Sequence, residues 1–450
     1  MASHTTPEHA TTLAASFGPH LDAVRARTAQ ALAACGYRGL LVHSGSLLTV
    51  FEDDRSYPFE AHAPFRVWAP VADAPDSFVW FEPDAPPRLI FLSPRDYWHK
   101  SAAVPDSYWT PHFDIRIVGA RAEARAHLPA DLAQAAYIGD ALPELNAWGV
   151  GAINPRHLMR RLDYARAVKS PYELLCLRAA SRLGASGHQA ALAAFRAGAS
   201  ELEIELAFIA ACGQREQELP YNPIVALNAG GAVLHYQVLE NTHPPERYSM
   251  LIDAGCEFAG YACDITRSYA ASDGEFSALI ARMERMQQAL CAAVRAGVDW
   301  RDIHLQAHQL TGEVLRDADL IGCSADEAVA SGTTRVFLPH GIGHLLGLEV
   351  HDVGGFMAGP DGAEIPRPPG HPYLRLTRVL EAGFVVTMEP GIYFIRQLLD
   401  AARADARGTH IRWSRVEALA KFGGIRIEDD LAVTGTGCEN LTRDAFRVLQ

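Results

Sequence analysis

The chain has 450 residues, 49 % apolar and 21 % charged, an ordinary globular balance at a length beyond which one hydrophobic core stops growing. Its net charge of -13 opposes nucleic acid and anionic membrane surfaces alike, leaving small molecules as the expected partners. No run approaches the ~18 apolar residues of a membrane span, the start MASHTTPEHATTL lacks the basic and apolar stretches of a signal peptide, and the eight cysteines form no CxxC pair. A protein of the reducing cytoplasm is therefore expected.

Up to about residue 165, short apolar runs bounded by Gly, Pro or charge alternate with helical stretches. Strands are predicted over 39–45, 77–81, 88–92, 113–119 and 134–140, and helices over 21–34 and 122–128. This is an α/β domain, 1–165, with no motif that carries chemistry by itself. Residues 51–70, FEDDRSYPFEAHAPFRVWAP, have neither period. They read as a loop, either solvated or closing over a site elsewhere.

The second domain, 166–450, opens on a capping box. Ser170, Pro171 and Glu173 fit N-cap, N1 and N3 of a helix. A second helix follows over 201–214, opened by Ser200. Then come the strand PIVALN, the turn AGGA, VLHYQ and a predicted hairpin over 248–269. Helices over 276–296 and 300–318 separate that hairpin from the later motifs.

The hairpin, YSMLIDAGCEFAGYACDITRSY, carries Asp253 and Asp264. Centring its turn between Phe258 and Ala259 sets the two carboxylates directly opposite each other. Like charges so placed repel, and burying them bare is prohibitive, so a divalent cation between them is the economical answer. On this stretch alone, two solvated surface acids explain the pattern equally well.

Further on, HGIGHLLGLEVHD holds His340, His344 and His351 within twelve residues. His-x3-His suits one helix face, but HExxH is missing and Gly341, Gly343 and Gly347 disfavour a helix, so a loop-and-strand segment is predicted. Glu389 in FVVTMEPGIYF and Glu428 in GGIRIEDDLAV are acids inside apolar strands, which calls for pairing or metal ligation. Four carboxylates and one imidazole suffice for two divalent ions if some carboxylates bridge. Such oxygen-rich ligation suits Mn²⁺ or Co²⁺, with Zn²⁺ as a further option.

Taken in order, LIDAG-x8-DITR, PHGIGHLLGLEVHD, TMEPGIYF and GIRIEDD resemble the metallopeptidases of the pita-bread fold, and most closely the bacterial Xaa-Pro dipeptidases, a subgroup of which is also called organophosphorus acid anhydrolases. HSGSLLTVFEDDRSYPF and RDYWHK extend the likeness over nearly the whole chain. The resemblance implies a mixed α/β N-terminal domain with dimerisation and substrate-loop roles, and a catalytic pita-bread domain. It implies metal ligands Asp253, Asp264, His344, Glu389 and Glu428, with Asp264 and Glu428 bridging. His340 and His351 match contacts to substrate and transition state, and His235 a further substrate-side histidine. Arg375 matches an arginine associated with the substrate carboxylate, and Arg426 a second family arginine. Tyr221 and Asp54 are weaker matches, Asp54 to an acid reaching a neighbouring subunit's site. Pro223 departs from a region that usually contains glycine.

The activity so implied is hydrolysis of Xaa-Pro dipeptides by a cytoplasmic homodimer with two divalent ions per subunit, and phosphotriester hydrolysis is a side activity open to the same chemistry. The nearest rival is an aminopeptidase P acting on longer Xaa-Pro peptides. A non-enzymatic binding domain or a creatinase-like amidinohydrolase is disfavoured, because all five ligand positions are filled.

Overall fold

The computed structural model describes residues 7–95, 97–98 and 103–449. The chain divides into two units, Met1–Cys176 with Gly359–Ala363, and Leu177–Ala358 with Glu364–Gln450. In the first, the short apolar runs become strands β1 (Gly39–His43), β2 (Phe78–Phe81), β3 (Arg88–Leu92), β4 (Asp114–Val118) and β5 (Ala135–Ile138). A two-residue strand, β6 (Ala152–Ile153), completes a six-stranded mixed sheet of order β4-β3-β2-β1-β5-β6. Strand β1 lies at its heart, antiparallel to β2 and parallel to β5, with Leu41 opposite both Trp80 and Tyr137. Those residues pack with Phe78, Ile90 and Trp148 into the core of this unit.

Helix Pro7–Cys35 buries Leu13, Phe17, Leu21, Val24, Thr28 and Ala31, a stripe recurring every three or four residues as a helix packed along one face requires. The remote piece Gly359–Ala363 is tied to this unit by Arg160, whose Nη1 donates to the Gly362 carbonyl at 2.7 Å. The predicted cap holds: the Ser170 N–H donates to Glu173 Oε2 at 2.7 Å and the Glu173 N–H to Ser170 Oγ at 3.3 Å, opening helix Pro171–Ala197.

In the second unit the capping box of Ser200 and Glu203 opens helix Glu201–Cys212. Strands β7 (Ile224–Leu227) and β8 (Ser249–Asp253) then run antiparallel. The hairpin closes through β9 (Glu257–Phe258), β10 (Tyr261–Ala262) and β11 (Thr266–Ala270). Later come β12 (Val385–Met388), β13 (Gly391–Tyr393), β14 (Gly424–Arg426), β15 (Asp429–Val433) and β16 (Cys438–Asn440), giving a three-stranded sheet β12-β15-β16 and the pair β13-β14. VLHYQ, residues 233–237, lies outside the strands.

The hairpin register corrects the sequence reading. The turn residues are Ala259 and Gly260, both at positive φ (53° and 90°), as a two-residue hairpin turn matching strand twist requires. Its centre therefore falls one residue later, and Asp253 faces Thr266 rather than Asp264. Because the pairing moves by two, Asp253 and Asp264 stay on one face as diagonal neighbours. The expected convergence survives the wrong register.

Strand β15 begins at a buried charge cluster. Asp429, 0 % exposed, accepts from Arg267 Nη2 (2.7 Å), Arg443 Nε (2.5 Å), Gln287 Nε2 and Asn440 Nδ2 (both 2.9 Å). The two guanidiniums hold its carboxyl below the usual range against the penalty of burial. Among the described residues no helix is long and apolar enough to cross a membrane. Removing one partner of a buried ion pair costs ~3–5 kcal/mol. Asp429→Ala is therefore expected to lower the unfolding midpoint by on the order of 10 °C in a thermal melt. A midpoint unchanged within a degree would refute this account of the cluster.

Candidate metal centre

Asp253 ends β8 and Asp264 precedes β11, so the hairpin delivers both acids to one face. Glu428 lies between β14 and β15, its N–H donating to the Thr266 carbonyl at 3.0 Å, which sets it beside the hairpin. The segment carrying His340 and His344 is mostly irregular, with a single bridge from Leu345 to Val386. It is pinned along β12: the N–H groups of Leu346, Thr387 and Glu389 donate to Val385, His344 and Ile342 carbonyls at 2.9, 3.0 and 2.9 Å. A Cβ at Gly343 would stand 2.1 Å from the Thr387 carbonyl oxygen, so only glycine allows this approach. His344 and Glu389 are thereby held on adjacent backbones.

Asp264, His344 and Glu428 each offer a ligand atom within 4.8 Å of those of the other two, and all three are buried. His344 Nε2 lies 3.4 Å from Asp264 Oδ2 and 3.8 Å from Glu389 Oε1. Its Nδ1 donates to the Leu345 carbonyl at 3.0 Å, which leaves Nε2 turned toward the carboxylates. Asp253 joins through Tyr221, whose hydroxyl oxygen is 2.8 Å from Asp253 Oδ1 and 2.7 Å from Asp264 Oδ1. One hydroxyl hydrogen cannot satisfy two carboxylate oxygens.

Burial, then the neighbouring carboxylates, pushes Glu428 well above the usual range, and burial raises Asp253 even against the Arg426 charge. Glu389 is raised to about 7 by burial, with Asp264 and Asp253 adding to the shift. Burial also works against the charge on Asp264, but His344 and Tyr221 outweigh it and hold that carboxyl low. Close-set carboxylates with one imidazole, short of positive charge, are a donor set that fits divalent cations.

Arg426 is a frame around this set. Its Nη2 donates to Asp253 Oδ2 at 2.6 Å, its Nε to Thr266 Oγ1 at 3.1 Å and its Nη1 to the Tyr393 hydroxyl at 3.1 Å. Thr266 in turn donates to Glu428 Oε2 at 2.6 Å. Tyr393 donates to His340 Nε2 at 2.8 Å, and His340 Nδ1 donates to the Gly341 carbonyl at 2.6 Å. Burial, with Arg426 nearby, holds His340 neutral, down to about 4.

The centre lies in the wall of a cavity of about 1120 Å³. His235, His351, Arg375, Tyr221, His340, Glu389 and Arg426 line it beside the other four acid and imidazole groups. The His351 ring packs edge-on against His344 with centroids 4.4 Å apart. Arg375 is exposed and, among the described residues, has no hydrogen bond or ion pair, whereas nearby Arg367 is stacked on Phe356 and bound to the Leu374 carbonyl. Asp54 is exposed in a loop of the first unit and is not a lining residue; nor is Pro223, although Asn222 and Ile224 are. Sequence reasoning missed Thr266 and Tyr393. The signal for Thr266 was its place two residues after Asp264, on the same strand face.

Residues 15–164 match the family described as the Xaa-Pro dipeptidase N-terminal domain, and residues 175–435 match metallopeptidase family M24. The Xaa-Pro dipeptidase of Stenotrophomonas maltophilia is 46 % identical over 433 residues, covering 96 % of this chain and 97 % of that one. That of Aeromonas hydrophila is 44 % identical over 431 residues, with 95 % and 98 % covered. Among solved structures, Escherichia coli aminopeptidase P with the inhibitor Pro-Leu superposes with a TM-score of 0.69 at 23 % identity, covering 94 % of this chain and 95 % of that one. The zinc-substituted form of that enzyme with product gives 0.70 at 22 %, covering 96 % and 95 %. These likenesses establish the fold as pita-bread.

The raised carboxyls carry a stability signature. A Glu389 carboxyl at about 7 in the folded protein, against 4.5 in the unfolded chain, favours folding fully below 4.5 and loses that contribution as pH rises through 7. Protein stripped with chelator is therefore expected to melt at higher temperature at pH 5 than at pH 8, with the difference reduced once Mn²⁺ is restored. Equal slopes with and without metal would contradict the reading.

Proposed function

The chain belongs to metallopeptidase family M24, and from that premise we propose that it is a Xaa-Pro dipeptidase holding two divalent ions per subunit, Mn²⁺ by preference. The observation that carries the reading is the convergence of Asp253, Asp264, His344, Glu389 and Glu428 on one cavity wall, in a chain whose first 164 residues include a match to the N-terminal domain of such dipeptidases. Asp264 and Glu428 would bridge the ions, Asp253 complete one site, and His344 and Glu389 the other. Bound there, the ions supply Lewis acidity and a water acidic enough to ionise near neutral pH.

The remaining work falls to side chains. His351, packed against His344 at the cavity, donates a ring N–H to the scissile carbonyl oxygen as negative charge develops on it. Glu389 carries the proton from the attacking water to the departing nitrogen. Before cleavage that nitrogen belongs to a tertiary amide with no N–H, so no acceptor need face it, and it leaves as a secondary amine. His340 and His235 shape the substrate side of the pocket, and Tyr393 and Arg426 hold His340 in place.

Arg375, exposed in the cavity without a partner among the described residues, grips the proline carboxylate. Asp54 pairs with the substrate ammonium from a neighbouring subunit, which makes the working form a homodimer. Cysteine usage supports the cytoplasm as its location. Phosphotriester hydrolysis is a side reaction of the same water.

The test is a substrate panel on chelator-stripped and Mn²⁺-restored protein. Ala-Pro should turn over only with metal, while Ala-Ala and Ala-Pro-Ala are poor substrates; faster cleavage of Ala-Pro-Ala would make the protein an aminopeptidase P instead. Arg375→Ala should raise KM for Ala-Pro by roughly tenfold or more, the effect of losing one charge-assisted carboxylate contact. An unchanged KM would remove Arg375 from the carboxylate site.

A further inference from the structure

Away from the five acid and imidazole ligands, three histidines gather in the second unit: His304 and His308, one turn apart on helix Trp300–Asp317, and His371 on the irregular segment that continues to Arg375. One ring nitrogen of each lies within 4.8 Å of those of the other two. Their rings pack with all three centroid separations between 4.6 and 4.9 Å. His304 and His308 are 1 % and 2 % exposed, and His371 is half-buried, opening the cluster to solvent.

The hydrogen bonding leaves the cluster short of partners. His308 Nδ1 meets Thr334 Oγ1 at 3.1 Å, and His304 Nε2 meets His371 Nδ1 at 2.8 Å. The second nitrogen of His304, Nδ1, is buried with no hydrogen-bond partner among the described residues. Burial lowers all three, with the neighbouring rings adding to it for His304 and His308 and the Arg335 charge for His308 and His371, which favours the neutral form in which imidazole binds metal. We infer that His304, His308 and His371 form a separate binding site for a transition-metal ion, Zn²⁺ by preference over Mn²⁺.

The preference follows from ligand chemistry. An all-imidazole site suits Zn²⁺, Cu²⁺ or Ni²⁺, whereas the carboxylate-rich centre suits harder ions. One chain would then hold two kinds of ion at once. The Arg335 guanidinium, whose charge reaches His308 and His371, opposes a dication and keeps the affinity below that of a site containing a carboxylate.

The placement gives the ion something to fix. His308 is bonded to Thr334, which opens the short helix Thr334–Phe337 just before His340. His371 begins the stretch whose Tyr373 and Arg375 line the cavity, and a Cβ on Gly341 would come within 2.9 Å of Leu374 Cα. An ion joining His371 to the helix would brace the Arg375 segment against the His340 loop. It is a structural ion for the pocket wall, not a reacting one.

The test counts zinc on full-length protein dialysed against excess Mn²⁺ with limiting Zn²⁺, by elemental mass spectrometry. Wild type should retain one more Zn²⁺ per chain than His371→Ala, a variant at a half-exposed position, and His308→Gln should match that loss with its circular dichroism unchanged. Asp264→Asn should keep the additional zinc while losing manganese. The same zinc count in His371→Ala as in wild type would overturn the inference. So would loss of the zinc in Asp264→Asn, because the zinc would then belong to the carboxylate centre. Neither result depends on the peptide substrate being the one proposed.

Discussion

Four buried or half-buried carboxylates on one cavity wall repel each other, and much of the second unit is arranged to hold them there. The Arg426 guanidinium and the His344 imidazole reach them directly, and they leave Glu428, Asp253 and Glu389 raised above the usual carboxylate range. A chain with no use for this strain would replace such acids with apolar residues at little loss. Keeping them makes sense where divalent cations complete the charge balance.

Holding the acids in place takes neighbours outside the five acid and imidazole groups. Thr266 links Arg426 to Glu428, Tyr393 links Arg426 to His340, and the bare Gly343 lets the histidine loop lie flush on β12. Asp430, one residue beyond Asp429, takes the Asp264 N–H at 3.1 Å. The carboxylate wall is thus fixed by strand register, a glycine and a buried charge cluster acting together. Rigid support of this kind is what separates a working site from a collection of suitable residues.

The chemistry was more legible in the sequence than its geometry. Acids inside apolar runs and three clustered histidines announce themselves by cost alone, and the capping boxes at Ser170 and Ser200 follow local rules. The strand runs of the first unit were readable from their apolar blocks, but their order in the sheet was not, since pairing is set by distant packing. The hairpin turn was misplaced by one residue because Ala259 takes a positive φ, which alanine rarely does and sequence rarely betrays. The face survived because strand periodicity is two. The chain pattern gave no hint that His304 and His308 would meet His371, which stands sixty-three residues beyond His308.

The carboxylate wall is proposed to hold two ions. Anomalous diffraction at the manganese edge, from crystals of the Mn²⁺-restored protein, tests it most directly. The account predicts two peaks roughly 3.5–4 Å apart between Asp264 and Glu428, the spacing of two-metal hydrolase sites. A single peak there, or none with the acids paired by protons instead, would contradict it.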